Sequence, residues 1–196
     1  MAVKILGVGS SMRKGSFSTL TLKIALEFAQ KHGMETRLLD LQKTPLPMFY
    51  SEENETQEIL YSKNAVKWAD AFILATPDYH GSMSGSLKNF LDYFWSDFAG
   101  KLFGYITASH EKGLTVMDQM RTAVRQCYGW SMPYGLSVNS DQDFDGNMNI
   151  INKEIISRLE KMSRDLVVYG NLIAEQYKKD LMSNEPDTFA AHYRKH

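Results

Sequence analysis

The sequence predicts a single α/β domain, one parallel sheet covered by helices on both faces, and three observations carry that prediction. Short apolar runs alternate with longer segments patterned at helical spacing. The apolar runs end in loops of Gly, Ser and Pro. The 196 residues, 43% hydrophobic and 23% charged, suit one packed core of ordinary globular composition.

Val3 to Val8 is apolar apart from Lys4 and runs into Gly9, Ser10 and Ser11, the pattern of a buried strand ending in a loop. Leu22, Ala25, Leu26 and Ala29 then recur at helical spacing, and Gly33 is the stop. Thr36 to Leu41 reads as a second strand, and the two prolines of the TPLPMF run from Thr44 require an irregular surface loop. A helix over Ile59 to Ala69 leads to a third strand, Ala71 to Thr76, closed by Pro77. Leu87, Phe90, Leu91 and Phe94 mark the next helix, and Leu102 to Thr107 is a fourth strand. Met117, Met120, Val124 and Cys127 form a helical stripe, followed by a fifth strand from Met132 to Val138 with Pro133 near its start. The last long helix shows Ile155, Leu159, Met162, Leu166, Tyr169 and Ile173 on one face. Residues 1–179 form the expected domain, and 180–196 a polar, frayed tail. Right-handed crossovers and the strand count favour a three-layer sandwich with a five-stranded parallel sheet in the order 2-1-3-4-5.

Charge and cysteine usage narrow the function. A formal net charge of −1 gives no general attraction to nucleic acid or to an anionic membrane. Cys127 is the single cysteine, which excludes an internal disulfide framework and a thiolate cluster, and a cytoplasmic location is expected. The apolar stretch at the N-terminus is far shorter than the ~20 residues of a membrane span. His32, His110, His192 and His196 are scattered, and no metal site is expected. Asp141, Asp143 and Asp145 before Gly146 resemble half a calcium loop, but Asn152 stands where its closing Glu belongs, so a solvated linker is the better reading.

In such sheets ligands bind beyond the carboxyl ends of the strands, between strands one and three. The loop there, GSSMRKGSFS, gathers Ser11, Ser16, Ser18, Arg13 and Lys14 just before a helix. Hydroxyls, a guanidinium and free helix-start amides suit a phosphate monoester. Helix capping accounts for one serine, not for three and an arginine. Gly7, Gly9 and Gly15 have the wrong spacing for a dinucleotide fingerprint, and no P-loop run is present, so a monophosphate is preferred.

The runs SSMRKGSFS (10–18) and TPDYHGSMSGSLKNFLD (76–92) resemble the NADPH-dependent FMN reductase family of flavodoxin-like proteins. The resemblance covers all but roughly the last twenty residues, and its more specific part is the proline, acidic residue, Tyr and Gly-Ser turn before Leu87, Lys88 and Asn89. It implies that Ser11, Arg13, Ser16 and Ser18 hold the FMN phosphate with the Phe17 amide. It implies too that Pro77, Asp78, Tyr79, His80, Gly81 and Ser82 wrap the flavin ring, with Ser109 on a third loop. A flavin needs an aromatic wall and close backbone approach, which Tyr79 and Gly81 offer. Ser10 stands where the family usually has Gly, and His80 where Asn is common.

The implied activity is ping-pong: NADPH or NADH reduces the flavin, and a small acceptor (free flavin, a quinone, an azo compound or a metal oxyanion) then takes the electrons. No dedicated catalytic side chain is expected. The resemblance implies a homodimer or homotetramer, with Tyr93, Phe94, Trp95 and Phe98 near a second subunit. The rival reading is an electron-carrier module that docks on protein partners without meeting NAD(P)H. Arg13 in the phosphate loop and the near-neutral charge argue against it.

Overall fold

The computed structural model describes residues 3–50 and 55–194. His196, counted above among the scattered histidines, lies outside them with the last of the expected tail. Strand β1 (Lys4–Gly9) pairs with β2 (Glu35–Asp40) on one side and β3 (Ala71–Pro77) on the other, and β3 pairs with β4 (Leu102–Ala108). All of these ladders are parallel, and with β5 (Trp130–Ser131) beside β4 the order is β2-β1-β3-β4-β5. Helices α1 (Phe17–Lys31) and α6 (Lys153–Met182) cover one face, and a single turn, α5 (Ser140–Asp143), precedes α6. Helices α2 (Gln57–Trp68), α3 (Gly85–Asp92) and α4 (Leu114–Gln126) cover the other. The fold is the expected flavodoxin-like three-layer sandwich.

Strand alternation assigns the two cores. Ile5, Ile73 and Ile106 point toward α1 and α6, where they meet Leu22, Leu26, Leu159 and Leu166. Leu6, Val8, Phe72, Leu74 and Phe103 point the other way, onto Val66, Phe90, Met120 and Val124. Phe72 and Phe103 are register partners and stack at 4.5 Å, a cross-strand pair worth about 0.2–1 kcal/mol. Gly7 lets α1 lie close on the sheet: a Cβ there would stand 2.8 Å from Leu26 and 2.9 Å from Leu22.

The fifth strand differs from its prediction. It is two pieces, β5 (Trp130–Ser131) and β6 (Leu136–Val138), each paired in parallel with β4. The Met132 amide still donates to the Phe103 carbonyl at 2.9 Å, and the chain then leaves the ladder at Pro133, whose nitrogen falls on the outer side of the strand, and rejoins β4 at Leu136. The C-terminal segment differs too. Instead of fraying from Asp180, α6 runs to Met182 and a 3-10 turn at Phe189–Tyr193 folds back on it. Phe189 and Tyr193 join Tyr128 and Tyr177 in an aromatic cluster, with ring centroids 5.5–6.4 Å apart. The Arg194 guanidinium donates to the carbonyls of Asp180 and Glu185 and to the hydroxyls of Ser183 and Thr188. Apolar and aromatic side chains inside a polar stretch are what draw it down. Among the described residues, no helix is long and apolar enough to cross a membrane.

Candidate active site

Beyond the carboxyl ends of β1, β3 and β4 lies a cleft of about 510 Å3. Three loops make it: residues 10–16 after β1, 78–84 after β3, and 109–113 after β4. Of the predicted residues, Ser11, Arg13, Ser16, Phe17, Pro77, Asp78, Tyr79, Gly81 and Ser109 line it. Ser18, His80 and Ser82 are not among the lining residues.

The loop after β1 leaves its polar groups open. Ser16 caps α1 by accepting from the Thr19 amide at 3.4 Å, so the Phe17 and Ser18 amides of the first turn have no intrahelical acceptor. The Ser18 hydroxyl is buried and lies 2.9 Å from that of Ser16. Ser11 accepts from the Arg13 amide at 3.2 Å, which turns the loop over the helix start. Arg13 is exposed, and none of the ion pairs among the described residues uses it. This is the donor set that a dianionic phosphate requires. Phe17 is propped from behind by Phe144, with centroids 4.6 Å apart.

Ser10 is an integral part of the frame. Its buried hydroxyl donates to the Ala75 carbonyl at 2.9 Å and accepts from the Ser84 hydroxyl at 2.9 Å. Its carbonyl accepts from the Ser86 hydroxyl. A glycine would make none of the side-chain links, so this serine ties the end of β1 to β3 and to the start of α3.

The turn after β3 is a two-residue hairpin. Tyr79 and Ser82 exchange backbone hydrogen bonds of 3.0 and 3.1 Å, and His80 and Gly81 between them have φ of 57° and 74°. Both central residues are left-handed, the geometry in which Asn-Gly is preferred and in which His is also enriched among non-glycine residues. That backbone demand explains why His stands at the Asn position of the resembling family. The His80 side chain is exposed at the tip. Asp78 accepts from the Gly81 amide at 2.8 Å and from the Ser109 hydroxyl at 2.8 Å, so one carboxylate joins two loops.

Sequence reasoning missed Gln119 on α4. Its carbonyl oxygen accepts from the Ser82 hydroxyl at 2.9 Å and from the Met83 amide at 3.2 Å, while its amide donates to the Gly81 carbonyl at 3.3 Å. A lone glutamine on a helix has no local signature that gives this role away. Thr115, which also lines the cleft, was missed as well. The acidic linker is self-satisfied: Asp145 accepts from the Asn147 and Asn149 amides, and Asp143 from the Asn139 amide and the Asn152 side chain. Cys127 is half-buried, and burial pushes its thiol above the ordinary value.

The strand order, the position of the cleft and its anion-accepting loop define a flavodoxin-like nucleotide-binding protein. The profile of the NADPH-dependent FMN reductase family matches residues 3–143. An NADPH azoreductase of Bacillus sp. (strain OY1-2) is 29% identical over 150 residues, covering 74% of this chain and 83% of its own. An FMN-dependent NADPH-azoreductase of Staphylococcus saprophyticus is 28% identical over 169 residues, covering 78% and 87%. Among solved structures, the flavoenzyme NAD(P)H:acceptor oxidoreductase FerB of Paracoccus denitrificans superposes with a TM-score of 0.73 at 16% identity, over 87% of this chain and 98% of that one, a likeness of fold. The chain belongs to the NADPH-dependent FMN reductase family and is an NAD(P)H-dependent oxidoreductase that uses FMN.

Proposed function

We propose that FMN is held with its phosphate among Ser11, Arg13 and Ser16 and the Phe17 amide, and with its ring along Pro77, Asp78, Tyr79 and Gly81, facing Ser109. Ser18 acts through Ser16, and Ser82 through its bond to Gln119. The observation that carries this reading is one continuous cleft with an open donor cluster at one end and a rigid aromatic turn at the other. Bound flavin supplies the hydride-accepting and electron-delivering chemistry. The chain supplies position: Arg13 offsets the phosphate charge, and the Asp78–Ser109 bond fixes the spacing between the two ring-side loops.

The acceptor is a small molecule, and the azoreductase relatives favour an azo compound or a quinone-like acceptor over a protein partner. The exposed Trp95 beside the buried Phe94 and Phe98 supports a homodimer through the α3 region, with each cleft near the interface. A cytoplasmic setting fits a chain with a single cysteine. The test is an absorbance spectrum of the FMN-loaded protein followed by anaerobic NADPH: bleaching of the flavin band within seconds is expected. Yellow protein that stays oxidised under NADPH and NADH alike would leave the electron-carrier reading standing.

A further inference from the structure

Behind the loop after β1, on the side away from the ring-binding turn, lies a second recess of about 180 Å3. It shares Ser11, Arg13, Gly15 and Ser16 with the main cleft, so one loop separates two adjoining cavities. Its charge is one-sided. Arg13, Lys23 and Lys43 line it against a single carboxylate, Asp40, and that carboxylate already accepts from the Gln42 amide at 3.1 Å. None of the three cations takes part in an ion pair among the described residues.

The cations arrive from three elements, and the fold fixes their convergence. Lys23 stands on α1 one turn beyond Thr19 and Leu20, which also face the recess. Lys43 follows β2 in a turn closed by its own amide on the Asp40 carbonyl at 2.9 Å. The Gln42 side chain donates to the Met12 carbonyl at 2.8 Å, tying that turn to the Arg13 loop. Three cations facing one occupied carboxylate repel one another, and a phosphate ester relieves that repulsion.

We infer that this recess receives the 2′-phosphate of NADPH and sets the preference for NADPH over NADH, with Lys23 and Lys43 as its specificity residues. The two nicotinamide cosubstrates differ only in that group, which lies at the end of the dinucleotide remote from the reacting ring. A phosphate site contiguous with the flavin cleft, yet outside it, is what discrimination between them needs. The inference rests on the reading that flavin and nicotinamide meet in the main cleft.

The experiment uses the FMN-loaded protein and measures kcat/KM for NADPH and for NADH in the wild type, Lys23→Ala, Lys43→Ala, the double variant and Lys43→Glu. The ratio of the two is expected to favour NADPH in the wild type and to fall by about tenfold or more in the double variant and in Lys43→Glu. In the wild type 2′,5′-ADP should inhibit competitively against NADPH far better than 5′-AMP, and lose that advantage in the double variant. A wild-type ratio near unity, or a ratio that Lys43→Glu leaves in place, would overturn the inference. So would a tenfold weakening of FMN binding in the double variant, which would assign the recess to the flavin's own phosphate. If the wild type oxidises neither nicotinamide cosubstrate, it is the reductase reading that fails, while direct binding of 2′,5′-ADP still judges the recess.

Discussion

The two ends of the sheet treat polar groups in opposite ways. At the amino end, several strong donors are matched within the chain. Lys178 bridges to Asp70 at 2.7 Å, Lys101 donates to the Val66 carbonyl at 2.6 Å, and Arg194 closes the C-terminal turn over Asp180 and Glu185. At the carboxyl end, Arg13, Lys23 and Lys43 face cavities and take part in no ion pair among the described residues. The lesson is that one end stores stability and the other stores affinity. Polar groups left open there are completed by a ligand and not by the fold.

The largest expected effect separates the two ends cleanly. Arg13→Ala should weaken FMN binding by about 10–100-fold, the loss of a charge-assisted hydrogen bond of roughly 1.5–3 kcal/mol, and leave the apoprotein's thermal midpoint in place. Fluorescence titration and a melting curve measure the pair. Arg194→Ala should do the reverse, lowering unfolding free energy by about 1–2 kcal/mol with FMN affinity intact. If Arg13→Ala destabilised the apoprotein as much as Arg194→Ala does, the division between the ends would be lost.

Smaller effects sharpen the contrast. Gly81→Ala forces a Cβ into a φ of 74° and should cost about 1–2 kcal/mol of local strain, read as weaker FMN binding because the turn forms a cleft wall. At the amino end, burial pushes the Lys101 ammonium down to about 8. Between that value and the ordinary lysine pKa the unfolded chain binds more protons than the fold, so stability rises with pH across this window. Chemical denaturation at successive pH values should show this rise in the wild type and not in Lys101→Met. The smallest effect belongs to His80→Asn. Both residues tolerate the left-handed backbone, so stability should shift by less than about 0.5 kcal/mol, whereas His80→Val should lose more.

Much of this was legible in the residues. Buried runs such as Ala71–Thr76 announce strands because apolar surface and sheet pairing coincide there, and the serines around Arg13 announce an anion site because so many donors have no other local use. What escaped notice depended on distant partners. Gln119 meets the Tyr79 turn across nearly forty positions, and Tyr128 meets Phe189 and Tyr193 across sixty. Pro133 was visible, but whether it opens a strand or interrupts one is decided by β4, which offers partners on both sides of it. The sandwich order followed from counting crossovers, a global property that survives local errors of this kind.

The interruption at Pro133 bears on solubility. A sheet's outer margin with a long regular row of free amides and carbonyls invites a neighbouring molecule to add its own strand. Here that margin offers runs of only two and three residues with an imino acid between them, too short and too bent to template such growth. The protein thereby keeps this flank closed to filament formation, whatever its helices do in assembly.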